Sequence, residues 1–192
     1  MKAVILFAHP NPLSFNQAIL EATVSILEKK QIDYTVRNLY ELSFNPVLKP
    51  SDFELLMQSK VATDIIVEQE AIRQADLIIP IFPIWWAGMP AILKGYIDRV
   101  FSNGFAYRYT EAGPEGLFEN KRAVIINTSG APNEVYQEMG MHESLAKTID
   151  LGIFQFCGIE VIAHRYFGGV PSVTDEERKQ MLEELPSLFE HI

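Results

Sequence analysis

The sequence predicts an α/β fold, an open parallel sheet of five strands with helices on both faces. Three observations carry this. Apolar runs without polar alternation recur at residues 3–8 (AVILFA), 75–82 (ADLIIPIF) and 121–127 (KRAVIIN), the pattern of strands buried on both faces. Segments with helical spacing of apolar residues separate these runs, so strand and helix alternate along the chain. The first run stops in a proline-rich polar loop that leads to a helix start, which is how a ligand site at the carboxyl edge of a parallel sheet is built.

The elements follow in order. Strand one covers residues 3–8. His9-Pro10-Asn11-Pro12 cannot continue it, and Ser14 is the N-cap of a helix reaching about Lys30. That helix carries Phe15, Ile19, Ala22, Ile26 and Leu27 on one face, with Lys29 and Lys30 at the end that favours cations. Strand two lies near residues 33–39, and a loop with Pro46 and Pro50 fills residues 40–51. Short helices are expected over 51–60 and 64–74. Strand three, 75–82, contains Pro80, an awkward residue for a central strand. The helix of residues 90–103 has Pro90 near its first position. Strand four is 121–127. A helix follows from His142 to about Phe156, then strand five over 159–164. Thr174 opens the last helix, with Glu177 three residues on forming a capping box.

The chain has 192 residues, and a single domain over 1–192 is expected. A hydrophobic content of 48% excludes a disordered chain, and a net charge of −9 argues against a nucleic-acid partner. One cysteine, Cys157, leaves no intramolecular disulfide and no cysteine metal cluster, and no metal site is expected. Met1-Lys2 leads directly into strand one, whose apolar run is too short to cross a membrane. A cytoplasmic protein with no direct membrane insertion is expected.

Three loops leave the carboxyl ends of the strands. The first, residues 9–16, offers His9, Ser14 and Asn16 as donors beside a helix N-terminus, suited to a monophosphate or pyrophosphate. An ordinary strand-to-helix turn with a capping serine is the plain alternative. The second, residues 83–90, holds both tryptophans, Trp85 and Trp86, between Pro83 and Gly88-Met89-Pro90. Its backbone could edge a flavin ring with indoles at the flanks, or the indoles could pack on a helix or a second subunit. The third begins Thr128-Ser129-Gly130-Ala131 and runs on to Tyr136 and His142. A reduced flavin carries negative charge near N1 and O2, where a phenol and an imidazole would stabilise charge and manage a proton. Spacing alone does not bring Tyr136 and His142 together, and each could be a polar contact at a loop edge.

AHPNPLSFN near the start, FPIWWAGMPAILKGYIDRVF in the middle, GFAYRY after it and TSGAPNEVYQEMGMH further on resemble the flavodoxin-like NAD(P)H:quinone oxidoreductases. That family includes the mammalian DT-diaphorases and the short bacterial quinone reductases called modulators of drug activity. The resemblance covers nearly the whole chain and implies the flavodoxin-like strand order 2-1-3-4-5, with its switch point between strands one and three. It implies that His9, Ser14, Phe15 and Asn16 form the flavin phosphate loop. Pro83, Ile84, Trp85, Trp86 and Ala87 would edge the isoalloxazine, Ala87 standing where mammalian members have a bulky aromatic. Thr128, Ser129, Gly130 and Ala131 would face the pyrimidine side, Gly130-Ala131 replacing a mammalian Gly-Gly. Tyr136 and His142 keep the spacing of the family's catalytic pair. Tyr107 and Tyr109 match tyrosines that line the partner subunit's active site, which implies a homodimer. The long C-terminal extension of the mammalian members is absent and the region before Asp64 is reduced. GFAYRY and the length of residues 49–68 favour FAD, with FMN open.

The implied reaction is a two-electron, ping-pong hydride transfer from NAD(P)H through flavin N5 to a quinone, or to a nitro or azo acceptor. A flavodoxin-type electron carrier and an ancillary regulatory subunit of a potassium-efflux system are the alternatives. His164 and His191 read as structural or solvated, and Asp98 receives no catalytic role.

Overall fold

A computed structural model describes residues 1–192. Five parallel strands make the main sheet: β1 (Lys2–Phe7), β2 (Asp33–Asn38), β3 (Leu77–Pro83), β6 (Arg122–Thr128) and β7 (Glu160–Phe167). Their order is β2-β1-β3-β6-β7, which is the expected 2-1-3-4-5 when the parallel strands alone are counted. Between β3 and β6 lies an antiparallel hairpin, β4 (Tyr107–Thr110) with β5 (Gly113–Gly116), that the sequence reading did not anticipate. Its short, polar, glycine-containing strands carry no apolar run to mark them.

Every residue of β1 from Ala3 onward is buried, because helices cover both faces. Alternate residues feed two cores. Val4, Leu6, Ile78, Phe82, Ala123 and Ile125 face α3 (Thr63–Gln74) and α4 (Ala91–Val100), while α2 (Pro50–Met57) lies outside this core. Ala3, Ile5, Phe7, Ile79, Ile81, Val124 and Ile126 face α1 (Phe15–Lys29) and α7 (Asp175–Glu183). Each large side chain so enclosed contributes about 1.5–3 kcal/mol.

Pro80 does lie in a central strand. It pairs with Leu6 of β1, while the β3–β6 register passes from Ile78↔Ala123 to Ile81↔Ile126 with no pairs between. The missing N–H falls where that ladder is interrupted. Pro90 is the N-cap of α4 rather than its first residue, and α4 ends at Val100 instead of Asn103. Ser14 caps α1, its hydroxyl accepting from the Gln17 N–H at 3.2 Å, and Thr174 with Glu177 forms the expected box on α7.

The expected single helix of residues 142–156 is three pieces: α6 (Met141–Ala146), a π-helical stretch, Lys147–Phe154, and a 3-10 turn, Gln155–Cys157. Helix α5 (Asn133–Glu138) precedes them, and Gly140 turns the chain between α5 and α6 in the left-handed region (φ 68°). Strand β7 is longer than the expected 159–164 and runs to Phe167.

One largely buried ion cluster flanks the first core. The Arg99 guanidinium donates to both carboxylate oxygens of Asp52 at 3.1 Å, to Asp64 at 2.6 Å and to the Asn45 carbonyl at 2.9 Å. It thereby ties α4 to α2, to α3 and to the loop after β2. Gly95 lets that loop close on α4, since a Cβ there would stand 2.2 Å from the Pro46 carbonyl oxygen.

Candidate active site

The first loop begins one residue beyond β1, where the Ala8 N–H still donates to Ile81 of β3 at 3.1 Å. Asn11 organises the turn. Its N–H donates to His9 Nδ1 at 3.0 Å, its side-chain oxygen accepts from the Leu13 N–H at 2.9 Å, and its carbonyl accepts from the Ser14 N–H at 3.2 Å. Burial holds the His9 pKa below its ordinary value, against the opposing pull of the Asn11 backbone. A neutral ring that accepts at Nδ1 keeps an N–H at Nε2 for a ligand. Behind His9, the first N–H groups of α1 have no intrahelical partner. Phe15 serves packing: its ring stands edge-on to Phe167 at 6.1 Å, leaving its backbone N–H as the group able to meet a ligand. Asn16 is buried in the first turn. Its Nδ2 donates to Thr128 Oγ1 at 2.8 Å, while its Oδ1 is buried without a partner.

The second loop prolongs β3. The Ile84 N–H donates to the Thr128 carbonyl at 2.7 Å, next to the Pro83↔Thr128 pair. Trp85 and Gly88 then exchange two backbone bonds of 3.1 Å around Trp86 (φ 50°) and Ala87 (φ 56°). Both central residues are left-handed, as in a primed hairpin turn, and neither is glycine. The N–H groups of Trp86 and Ala87 make no backbone bond, so the strained turn presents two free donors. Trp85 lies 5.9 Å from His9, joining the first two loops, whereas the Trp86 indole is fully exposed.

The third loop rests on the end of β7. The Ser129 N–H donates to Phe167 at 2.9 Å, the Gly169 N–H to Ala131 at 2.8 Å, and the Ser129 hydroxyl to Ala131 at 2.8 Å. Gly168 makes this approach possible, because a Cβ there would lie 2.5 Å from the Asn133 nitrogen. Thr128 and Ser129 are buried and Gly130 is exposed. Helix α5 carries Tyr136, the Gly140 turn reverses the chain, and the first turn of α6 brings His142 back beside it. The two rings meet edge-on, 6.0 Å apart at 69°. His142 Nε2 is buried without a hydrogen-bond partner. Burial first, and the charge of His164 second, lower the His142 pKa.

The structure thus brings together three pairs that the sequence named separately, His9 with Trp85, Asn16 with Thr128 and Ile84 with Thr128, and one that the resemblance had paired, Tyr136 with His142. Tyr107 and Tyr109 stand apart on β4. Tyr107 packs on Phe156 at 5.2 Å and on Tyr109 at 5.7 Å, and Tyr109 is exposed. A group missed from the sequence lies behind His142: Tyr166 and His164 of β7, Asn127 of β6 and Asp150 of the π-helical stretch. The signal was the i, i+2 spacing of His164 and Tyr166, which shares one sheet face only if the strand continues past His164.

The donor set fits a planar conjugated ring with an anionic tail. A helix N-terminus and His9 suit the tail, the free N–H groups of Trp86 and Ala87 suit one ring edge, and Thr128 to Gly130 suit another. Asn16 Oδ1 and His142 Nε2 are buried polar atoms still lacking a partner, which a native interior rarely leaves so.

A family model described as flavodoxin-like fold matches residues 1–188. An uncharacterized NAD(P)H oxidoreductase of Haemophilus influenzae is 39% identical over 184 residues, covering 95% of this chain and 91% of that protein. NAD(P)H dehydrogenase [quinone] 1 of Cavia porcellus is 33% identical, covering 94% and 73%. The structure of an NAD(P)H:quinone oxidoreductase from Methanothermobacter marburgensis superposes with a TM-score of 0.88 at 30% identity, covering 97% and 96%. In sequence, strand order and loop placement, the chain belongs to the flavodoxin-like family that includes the NAD(P)H:quinone oxidoreductases.

Proposed function

We propose that the protein is a flavin-dependent NAD(P)H:quinone oxidoreductase. The observation that carries this reading is the convergence of three loops at the carboxyl ends of β1, β3 and β6, with Tyr136 and His142 paired beside them. The names of the Haemophilus, Cavia and Methanothermobacter relatives support the activity. The flavin, when bound, supplies the hydride chemistry, accepting two electrons from NAD(P)H and passing them to the quinone.

The chain's own groups bind and polarise. His9 Nε2 and the N-terminal N–H groups of α1 neutralise the phosphate tail. The free N–H groups of Trp86 and Ala87 are fixed donors for one ring edge, already oriented by their turn, so little ordering accompanies binding. Thr128 supplies a hydroxyl and Gly130 an unhindered N–H at the other edge, while the Ser129 hydroxyl, donated to the Ala131 carbonyl, can only accept. Tyr136 donates a hydroxyl proton, and a neutral His142 has one N–H and one lone pair, so the pair can stabilise negative charge and hold or release a proton beside it. FAD is favoured over FMN on the length of the Lys49–Glu68 region. A homodimer is supported by the exposed Tyr109 and Trp86, aromatic surface that a second copy would cover. No helix is long and apolar enough to cross a membrane, and the single cysteine suits the cytoplasm.

The test is the absorbance spectrum of the purified protein, then anaerobic titration with NADPH and with NADH, then addition of a benzoquinone. Flavin bands that bleach in one two-electron step and return with the quinone are expected. Flavin that binds but is reduced by neither nucleotide makes the protein an electron carrier. Absence of flavin binding after reconstitution leaves an ancillary binding role, such as a subunit of an ion-efflux system.

A further inference from the structure

Two aromatic rings stack in line behind His142. The Tyr166 ring lies 4.4 Å from that of His142 and 4.1 Å from that of His164, at 24° to each. Tyr166 and His164 are two residues apart on β7 and share one sheet face. His164 is clamped from two further elements. Its Nδ1 donates to Asp150 Oδ1 at 2.6 Å, its Nε2 meets the side-chain amide oxygen of Asn127, and the Tyr166 hydroxyl oxygen is 3.0 Å from Nδ1. The His164 side chain is 7% exposed and that of Asp150 17%. Asp150 belongs to the same continuous helix as His142, eight residues on, where the backbone has passed into π geometry. Such stretches are rare, and they recur at functional sites.

A surface-facing histidine needs none of this. A buried imidazole bonded at both nitrogens and stacked against the ring that touches His142 costs ordering and desolvation that a plain apolar strand residue would avoid. We propose that His164, clamped by Asp150 and Asn127, is a positioning residue for His142, fixing its ring plane through Tyr166 and setting the charge it faces. The inference rests on the reading that His142 faces the bound cofactor. The titratable groups around the pair are Tyr136 from α5, Tyr166 from β7 and Asp150 from the π-helical stretch. Burial, and then the Asp150 charge, raise the Tyr166 pKa far above its ordinary value, so the middle ring stays neutral. The charge on His164 acts in the same direction as burial on His142, towards the neutral imidazole. A neutral imidazole is the form that can both donate and accept beside the cofactor.

The experiment is an NMR titration of the full-length protein with isotope-labelled histidine, His142 being assigned through its cross-peaks to the Tyr166 ring. In His164→Gln, the His142 midpoint is expected to rise by about 0.5 pH unit. An unmoved midpoint in a folded His164→Gln overturns the proposal. The pH profile of flavin reduction in His164→Gln is read separately. A profile that shifts upward with the His142 midpoint supports the proposal. A raised His142 midpoint with an unmoved profile removes His142 from the reductase reading and leaves the positioning inference standing.

Discussion

Asn16 and Thr128, 112 residues apart, are joined by a buried hydrogen bond of 2.8 Å from Nδ2 to Oγ1. It crosses from the first turn of α1 to the end of β6, so the first and third loops hold each other in place. Thr128→Val removes the acceptor and leaves the Asn16 amide buried without any partner. A loss of about 1–3 kcal/mol in unfolding free energy is expected. Because the two residues act as one unit, Asn16→Ala with Thr128→Val should cost less than the sum of the single changes. Chemical denaturation of the four proteins measures this, and strict additivity would show that the bond contributes nothing.

Ala87 holds φ at 56° inside a turn whose neighbour Trp86 is also left-handed. A side chain in that region costs about 1–2 kcal/mol, and glycine avoids the cost while adding unfolded-state entropy. Ala87→Gly should therefore stabilise the protein by roughly 0.5–1 kcal/mol in the absence of cofactor. It should also weaken flavin binding, because the free N–H groups of the turn lose their fixed orientation. Thermal melts and flavin titration read the two effects, and a destabilised Ala87→Gly would contradict the strained-turn account.

Asp52 sits against Arg99 with little exposure, and hydrogen bonds from that guanidinium are the chief reason its carboxyl pKa falls below 3.8. A depressed folded pKa means stability that is present above the unfolded value and lost as pH falls through the folded one. Asp52→Asn should thus destabilise strongly at pH 7 and less at pH 3, where the unfolded chain's carboxyl takes up its proton before the folded one does. Urea midpoints for both proteins at the two pH values test this. A gap that stays constant between pH 7 and pH 3 would mean that the charge of Asp52 is not what holds α2 to α4. Arg99→Met, which leaves both Asp52 and Asp64 without their cation, is expected to cost about 3–5 kcal/mol at pH 7.

The parallel sheet was legible because its central strands are buried on both faces and write that fact as unbroken apolar runs, Ala3 to Ala8 above all. The caps at Ser14 and Thr174 were legible because capping is local, needing one side chain and the N–H groups just after it. The β4–β5 hairpin was not, since Tyr107 to Gly116 is set by tertiary support: Gly116 lies against Cys157 and Gly158, where a Cβ would meet backbone at 2.3 Å. The meeting of Tyr136 with His142 was expected from resemblance alone, because it depends on a left-handed Gly140 that spacing does not announce. His164 escaped because its partners, Asn127 and Asp150, come from elements 37 and 14 residues away. Its strand also ends three residues later than the apolar pattern implied. Long-range polar contacts of this kind leave no periodic trace.

Tyr136 and His142 can be separated from mere binding by changing only their polar atoms. Tyr136→Phe keeps the ring that stands 6.0 Å from His142 and removes the hydroxyl, and His142→Gln keeps a polar side chain without the imidazole's ability to change charge. The loop of residues 9–16 and the Trp86-Ala87 turn are untouched, so flavin should remain bound. Loss of a positioned proton donor and acceptor typically costs 10²–10⁴-fold in rate, and the double variant should reduce flavin at least about 100-fold more slowly in stopped-flow with NADPH. The wild-type profile carries a second signature. Burial and the His164 charge hold the His142 pKa below 6.5, so the imidazole is neutral at pH 7. The rate should stay level from pH 8 to pH 6.5 and break only below it, and that break should vanish in His142→Gln. Reduction at the wild-type rate in the double variant would remove both residues from the chemistry. A break that persists in His142→Gln would assign it to another group.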